Sequence, residues 1–487
     1  MFQRVICSSA RLGPKPQKGA SFAFQRGRAT VAATQSVFDE WETAKSYDEV
    51  PGPKPKPLVG NLWVFIPSLS GVPKDFADQQ EYFFKKYGDI VKISNIPGRK
   101  DMVMIFDADE IPKDTVETLG LQGEEWQSFR TKVNPIMMQP RATKIYVEPI
   151  DSVAEDFITR IRKLRDDKLE MPSNFDNELC KWALESIVYI ALDKRMGCLD
   201  DNLSPDSEPQ KMIDAVQGIF DSTFALDLRP SPWKIVSTPA WRKLVKSSDF
   251  FYEISVRYIN EASERLKSLP KDSDRELTVL EKLLARDQNP KTAMTSFSTA
   301  VALYFLAQNP DKQEKLYREI QKFLPDKKTP VTSKMLTEMK YLKACLKESM
   351  RLRPIAIGNV RTTVTELVIS GYKIPKGVDV MIPNTYLCKQ EKYFSEPLKY
   401  IPERWLKTDD GDRTTTKITH PYVFLPFGFG PRMCLGRRFA ELELETIVTK
   451  IIRNFQVEYN YGEMKFETKL LYTPTSPLKF KFVDRNN

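Results

Sequence analysis

The chain has 487 residues, 41% of them hydrophobic and 29% charged, with 34 prolines and a formal charge of +9. That is a globular composition with ample material for a core. Six of the surplus positive charges crowd into residues 1–38, so the remaining body is too weakly basic to argue for nucleic acid.

Residues 1–38 carry Arg4, Arg11, Lys15, Lys18, Arg26 and Arg28, many Ser, Ala and Thr, and no acid. This predicts a mitochondrial transit peptide whose cleavage point is open; the plainer reading is a basic tail. Residues 39–57 read as a linker that ends in PGPKPKP, Pro51–Pro57. Proline locks φ and keeps the residue before it out of helix, so this stretch is expected as a stiff hinge into a folded domain spanning 58–487. DIVKI and MVMIF, separated by a Gly/Pro-containing segment, predict a hairpin of short strands. From Glu124 the pattern turns helical. YVEPIDSVAEDFITRIRKLRD, LCKWALESIVYIAL and FYEISVRYINEASERLKSL repeat apolar residues every three or four positions. Between the last two, residues 229–247 mix Trp233 and Trp241 with five basic residues, a mixture suited to a bilayer interface or an amphipathic surface helix. TELVISGYKIPKGVDVMIP returns to β-structure, and no run of eighteen apolar residues predicts a membrane span. The expected fold is mainly α, with a small β-rich part.

Six cysteines share no CxxC spacing, which argues against a zinc site, a redox motif or a disulfide framework, and one histidine leaves little for His-based catalysis. Cys434 stands apart, inside FLPFGFGPRMCLGRRFAELE. A lone thiolate suits a metal whose other positions are filled by something else, such as a haem. The helix that follows would aim its N-terminal amides at the sulfur and favour the thiolate. Gly428, Gly430 and Gly436 permit a tight turn and the close approach of a flat macrocycle, and Arg432 could pair with a carboxylate at its edge. The alternative is an inert cysteine beside a glycine turn.

FGFGPRMCLG resembles the haem-binding loop of the cytochrome P450 family, through Phe427, Gly430, Arg432, Cys434 and Gly436. Two further stretches agree in order: KESMR, with Glu348 and Arg351, and PERW, with Arg404. The resemblance implies a P450 fold with haem b between distal and proximal helices and Cys434 as axial ligand. It implies a structural ion network of Glu348, Arg351 and Arg404 beneath the haem. Trp126 and Arg130 in WQSFR, and Arg361 in IGNVRTTV, are implied as propionate partners. Alone, Glu348 and Arg351 are an ordinary i,i+3 pair.

Within the family the chain is similar to the mitochondrial clan, particularly its insect branch. That implies a monooxygenase that takes electrons from an acidic iron–sulfur ferredoxin and acts on a lipophilic small molecule. Lys343, Lys347, Arg437 and Arg438 are implied as the docking patch, whose attraction to an acidic partner salt should weaken. Residues 229–247 resemble the loop by which such enzymes touch the matrix side of the inner mitochondrial membrane.

The pattern breaks twice. The family's central helix carries an acid and a threonine over the haem; here Ala293 and Met294 occupy those positions, with Thr295 next, and neither Ala nor Met relays a proton. Only PKDTVETLGLQ separates DADEI from GEEWQSFR, where the family places several dozen residues. Both gaps have the form of missing segments rather than gradual divergence. Three readings follow: an active monooxygenase; a haem-thiolate protein impaired in, or without, that activity; and an incompletely folded isoform.

Overall fold

The computed structural model describes residues 40–111, 124–192, 194–201, 203–228, 233, 236–268, 295–406, 420–468 and 471–485. The expected transit peptide, Ala293 and Met294 lie outside these residues, as does the side chain of Trp126.

Ten helices of the described chain carry the argument: α1 (Phe76–Tyr87), α2 (Glu124–Met137), α3 (Val147–Leu164), α4 (Phe175–Leu192), α5 (Glu208–Thr223), α6 (Pro239–Ser268), α7 (Thr295–Gln308), α8 (Pro310–Phe323), α9 (Lys340–Leu352) and α10 (Arg437–Asn454). In α3 the residues Ile150, Val153, Ala154, Phe157, Ile158 and Ile161 are all buried, the three-and-four spacing that makes one helix face apolar. Helix α7 has no such stripe. Thr299, Ala300, Val301, Ala302, Leu303 and Leu306 bury it on all sides, as expected of a helix threaded through a core. At fourteen residues it spans about 21 Å. Helix α10 packs against α3, α7, α8 and α9, so the element that follows Cys434 is anchored on the helical core.

The β-rich part joins distant stretches. Strands β1 (Ile90–Ile93) and β2 (Met102–Ile105) form the expected antiparallel hairpin, with Ile90 opposite Ile105. Strands β3 (Asn359–Thr362) and β4 (Asp379–Ile382) pair antiparallel, and β2 runs parallel to β4, giving the sheet order β1-β2-β4-β3. A second apolar cluster, including Phe83, Val91, Val103, Met104, Val380 and Leu387, covers this sheet.

The Pro-rich stretch departs from its expectation as a hinge. Lys45 donates its N–H to Gly371 O at 2.9 Å, Lys92 N–H reaches Pro51 O at 2.7 Å, and Asn61 Nδ2 reaches Pro53 O at 2.8 Å. Prolines lack an N–H but keep a carbonyl, so the segment docks on the sheet as an acceptor. Val50 is buried beside it.

Phe157 is fully buried and stacks on Phe175, with centroids 6.0 Å apart, while Trp182 lies at 6.1 Å. Phe157→Ala should destabilise the folded protein by about 3–5 kcal/mol in chemical denaturation, because a cavity opens where α3 meets α4. A change below about 1 kcal/mol would contradict this packing.

Candidate active site

The turn that carries Cys434 is built from backbone. Cys434 N–H donates to Phe427 O at 2.8 Å, Gly428 N–H to Leu425 O at 3.1 Å and Met433 N–H to Gly430 O at 3.0 Å. Gly428 and Gly430 adopt φ of +72° and +63°, the left-handed region in which a side chain is strained. A Cβ on Gly428 would also come within 3.0 Å of Asn359 Oδ1. Asn359 Nδ2 bonds Asn384 Oδ1 at 3.1 Å, and both amides reach Leu425 O, at 3.4 and 3.3 Å. These two asparagines clamp the entry of the loop to the strand that carries Arg361.

Cys434 lies exposed on this loop. Surrounding atoms push its thiol pKa up by desolvation, while the N–H groups of Gly436 and Arg437 and the charges of Arg130 and Arg437 pull it down. Burial outweighs the amides and cations at the helix start, so the thiol pKa is raised, against the expectation that the helix start favours the thiolate.

Three arginines converge here. Arg130 Nη2 donates to Met433 O, the residue before the cysteine, at 2.9 Å. Arg361 lies over the Phe429 ring at 5.0 Å and donates to Phe429 O at 3.4 Å. Burial lowers the pKa of Arg130, Arg361 and Arg432, and the charge of Arg432 lowers the first two further. Cations drawn together in this way favour an anionic ligand. Two carboxylates at the edge of a macrocycle, with the cysteine thiolate at its metal, fit this donor set. Trp126 falls on α2, one turn before Arg130.

Beneath the loop lies the ion network. Arg351 grips Glu348 with Nε at 2.9 Å and Nη2 at 2.8 Å, and Arg404 Nε adds a bond at 3.0 Å. Both Glu348 and Arg351 are 0% exposed, so the i,i+3 pair is interior. Arg351 also donates to the carbonyls of Cys388, Pro397 and Lys399. Sequence reasoning missed Trp405, although it adjoins Arg404 in PERW. Its indole N–H donates to Glu348 Oε2 at 2.8 Å, and its ring meets Phe424 at 4.6 Å.

The four residues expected in a docking patch divide. Lys347 is exposed, 5.6 Å over the Trp405 ring, and Lys343 is half-buried, with its Nζ bonded to Thr337 O. Arg437 is exposed but paired with Glu441 at 2.8 Å. Arg438 turns inward and donates to Met138 O at 2.8 Å, tying α10 to the end of α2. Glu445 joins this group unforeseen: burial raises its pKa to about 7, Lys343 and Lys347 pull it down, and Glu441 pushes it up.

This constellation fits a haem-thiolate class of site. The cytochrome P450 family model matches residues 50–482, and the chain belongs to that family. It is 36% identical to the probable cytochrome P450 301a1, mitochondrial, of Drosophila melanogaster, over 91% of this chain and 88% of the relative. It is 35% identical to cytochrome P450 CYP12A2 of Musca domestica, over 95% of each chain. With the probable cytochrome P450 49a1 of Drosophila melanogaster the identity is 36% over 529 positions, covering 98% of this chain and 89% of the relative. Since 529 exceeds the 487 residues present, that relative carries stretches this chain lacks. Members of the family carry haem b and are oxidoreductases of the monooxygenase type.

Glu348→Gln should cost about 3–5 kcal/mol, because it removes the charge that neutralises two buried guanidinium groups. Trp405→Phe should cost less, about 1–3 kcal/mol, since one bond to a charged acceptor is lost. Denaturant unfolding of both variants checks the order; equal and negligible losses would contradict it.

Proposed function

We propose that the chain works as a mitochondrial monooxygenase that oxidises a lipophilic small molecule with electrons from an acidic iron–sulfur ferredoxin. The observation that carries this reading is the Cys434 loop, with amides and cations facing the thiol and three arginines around it. In this reading Cys434 is the axial ligand, and Trp126, Arg130, Arg361 and Arg432 hold the two propionates. Phe427, Gly428 and Gly436 shape the contact surface. Bound through a thiolate, haem b supplies the cleavage of dioxygen: one atom enters the substrate and the other leaves as water, consuming two electrons and two protons.

The protein's own residues set up that chemistry. Glu348, Arg351, Arg404 and Trp405 fix the frame under the loop, and Asn359 and Asn384 fix its entry. The α10 amides would stabilise negative charge on a metal-bound sulfur, against the upward pull of burial on the thiol pKa. Electrons would arrive on the side of Lys343, Lys347 and Arg437, where the acids Glu441 and Glu445 temper the positive charge.

Membrane contact is proposed for residues 229–247. Trp233 and Trp241 stack at 5.0 Å and 15°, and Trp233 is tied by its indole N–H to Leu226 O. Val236 and Val245 are exposed nearby, and Trp241, Arg242 and Lys246 line an open hollow of about 530 Å³. Aromatic rings with basic and apolar neighbours suit a headgroup boundary. No described helix is long and apolar enough to cross a membrane, so this reading makes the contact peripheral, on the matrix side of the inner membrane. The acid-free presequence and the mitochondrial names of the relatives support the compartment.

The test is the reduction rate of the haem-loaded protein by a mitochondrial [2Fe–2S] ferredoxin. The rate should fall steeply with added salt, and by about tenfold in the double variant Lys343→Glu, Lys347→Glu. It should rise below about pH 7, where Glu445 takes up a proton and the patch becomes more positive. A rate indifferent to salt and to both substitutions would sink the ferredoxin assignment.

A further inference from the structure

Two lysines on the stretch that follows the short helix Asn384–Leu387 meet opposite surroundings. Lys392 is exposed and held by acids: its Nζ bonds Asp107 at 2.7 Å and pairs with Asp109 at 2.8 Å, which raises its pKa. Lys389, three positions earlier, is half-buried, and no acceptor among the described residues bonds its Nζ. A second cation stands near it instead. Arg353, the residue that caps α9, acts on Lys389, while Asp78 and Glu81 of α1 act in the opposite sense. Glu81 is shared with Lys85 at 2.6 Å, and Arg353 with Glu463 at 3.4 Å. Burial pushes the neighbouring Cys388 thiol up to about 12, so it stays neutral and offers Lys389 no counter-charge.

We propose that Lys389 is an acylation site, its amine taking the acyl group of a thioester. The Nζ lone pair adds to the thioester carbonyl, the C–N bond forms and the C–S bond breaks. Sulfur leaves with the bonding pair, and the surplus proton on nitrogen passes through solvent to that thiolate. The products are an amide and a free thiol, so no oxidant or reductant enters. None of the groups that act on Lys389 belongs to the Cys434 loop, and the reaction is independent of monooxygenase turnover.

The surroundings supply the nucleophile. A partly desolvated ammonium without a partner is disfavoured, and a nearby cation disfavours it further. Desolvation, or a neighbouring cation, is a general way of activating a lysine amine. Burial first, and Arg353 second, lower the pKa of Lys389 to about 8, against weaker upward pulls from Asp78 and Glu81. Near pH 8 about half of the molecules therefore carry a free amine there. The product suits the site as well as the reactant. An amide carries no charge, so acylation ends both the cost of burial and the repulsion by Arg353. An imine formed with a carbonyl compound can be protonated again and keeps both. Lys389 still meets solvent, being only half-buried, so a donor in solution reaches it. Lys392 has the solvent access but not the free amine, because its two acids hold the proton.

Incubation of the haem-loaded full chain with acetyl coenzyme A, followed by peptide mass spectrometry, tests the site. At pH 8 Lys389 should acetylate at least about tenfold faster than Lys392, and the difference should vanish in urea. The Lys389 rate should level off above about pH 8, whereas that of Lys392 is still climbing at about pH 10. Lys389→Met keeps the apolar stem without the charge and should raise the denaturation midpoint. The folded amine loses its proton near 8 and the unfolded one near 10.5, so that gain is full below 8 and fades towards 10.5. Lys389 acetylated no faster than Lys392, a Lys389 rate that keeps rising at about pH 10, or a Lys389→Met protein less stable than wild type at about pH 6.5 would overturn the assignment. Labelling needs neither electrons nor oxygen, so a chain inactive as a monooxygenase that still labels at Lys389 upholds it.

Discussion

The buried carboxylate of Glu348 is the constraint on which the rest of this molecule depends. A charge with no exposed surface is tolerable only if every lone pair finds a donor. Here Arg351 supplies two donors, and Arg404, Trp405 and the Ile401 amide supply the others. The same arginine also collects three carbonyls from residues 388–399, so one ion pair sets the path of a long irregular segment. Next to it, Glu403 is held by Lys315 and the Tyr341 hydroxyl, and these partners lower its pKa to about 2 against the opposing effect of burial.

That rigidity reaches the cysteine through packing. The Trp405 indole is bonded to Glu348 while its ring leans on Phe424, where the cysteine loop begins, and Lys347 lies over the same ring. Asn359 and Asn384 grip Leu425 from the sheet side, and Arg130 grips Met433 from α2. The loop is thus fixed by the ion network, by a strand and by a helix distant in sequence. Its thiol pKa is raised by burial, with the nearby amides and cations pulling the other way. These supporting contacts all fall within the described residues.

Much of this was legible because the chemistry leaves local marks. A cysteine between glycines and arginines, an acid and arginine one turn apart, and the PERW turn each occupy a few adjacent residues. The helical character of α3, α4 and α6 and the β1–β2 hairpin followed from periodicity alone. What stayed hidden depends on partners far apart in sequence. Nothing local says that Thr295 meets Glu443, that Arg438 bonds the Met138 carbonyl just past α2, or that Trp405 completes the Glu348 shell. The Pro-rich stretch misled for a related reason. Its prolines announce stiffness, whereas carbonyls accepting from Lys92 and Asn61 decide where it lies. The two gaps seen in sequence border residues 112–123 and 269–294, outside the described residues.

The account stands on Cys434 being a thiolate ligand to haem, held by the frame that Glu348 anchors. The most direct measurement is the absorption spectrum of the reduced, carbon-monoxide-bound protein, wild type beside Cys434→Ser. A strongly red-shifted Soret band in the wild type, lost in the serine variant, is the predicted result. Absence of that band in haem-loaded wild type, or its survival in the variant, would contradict the claim.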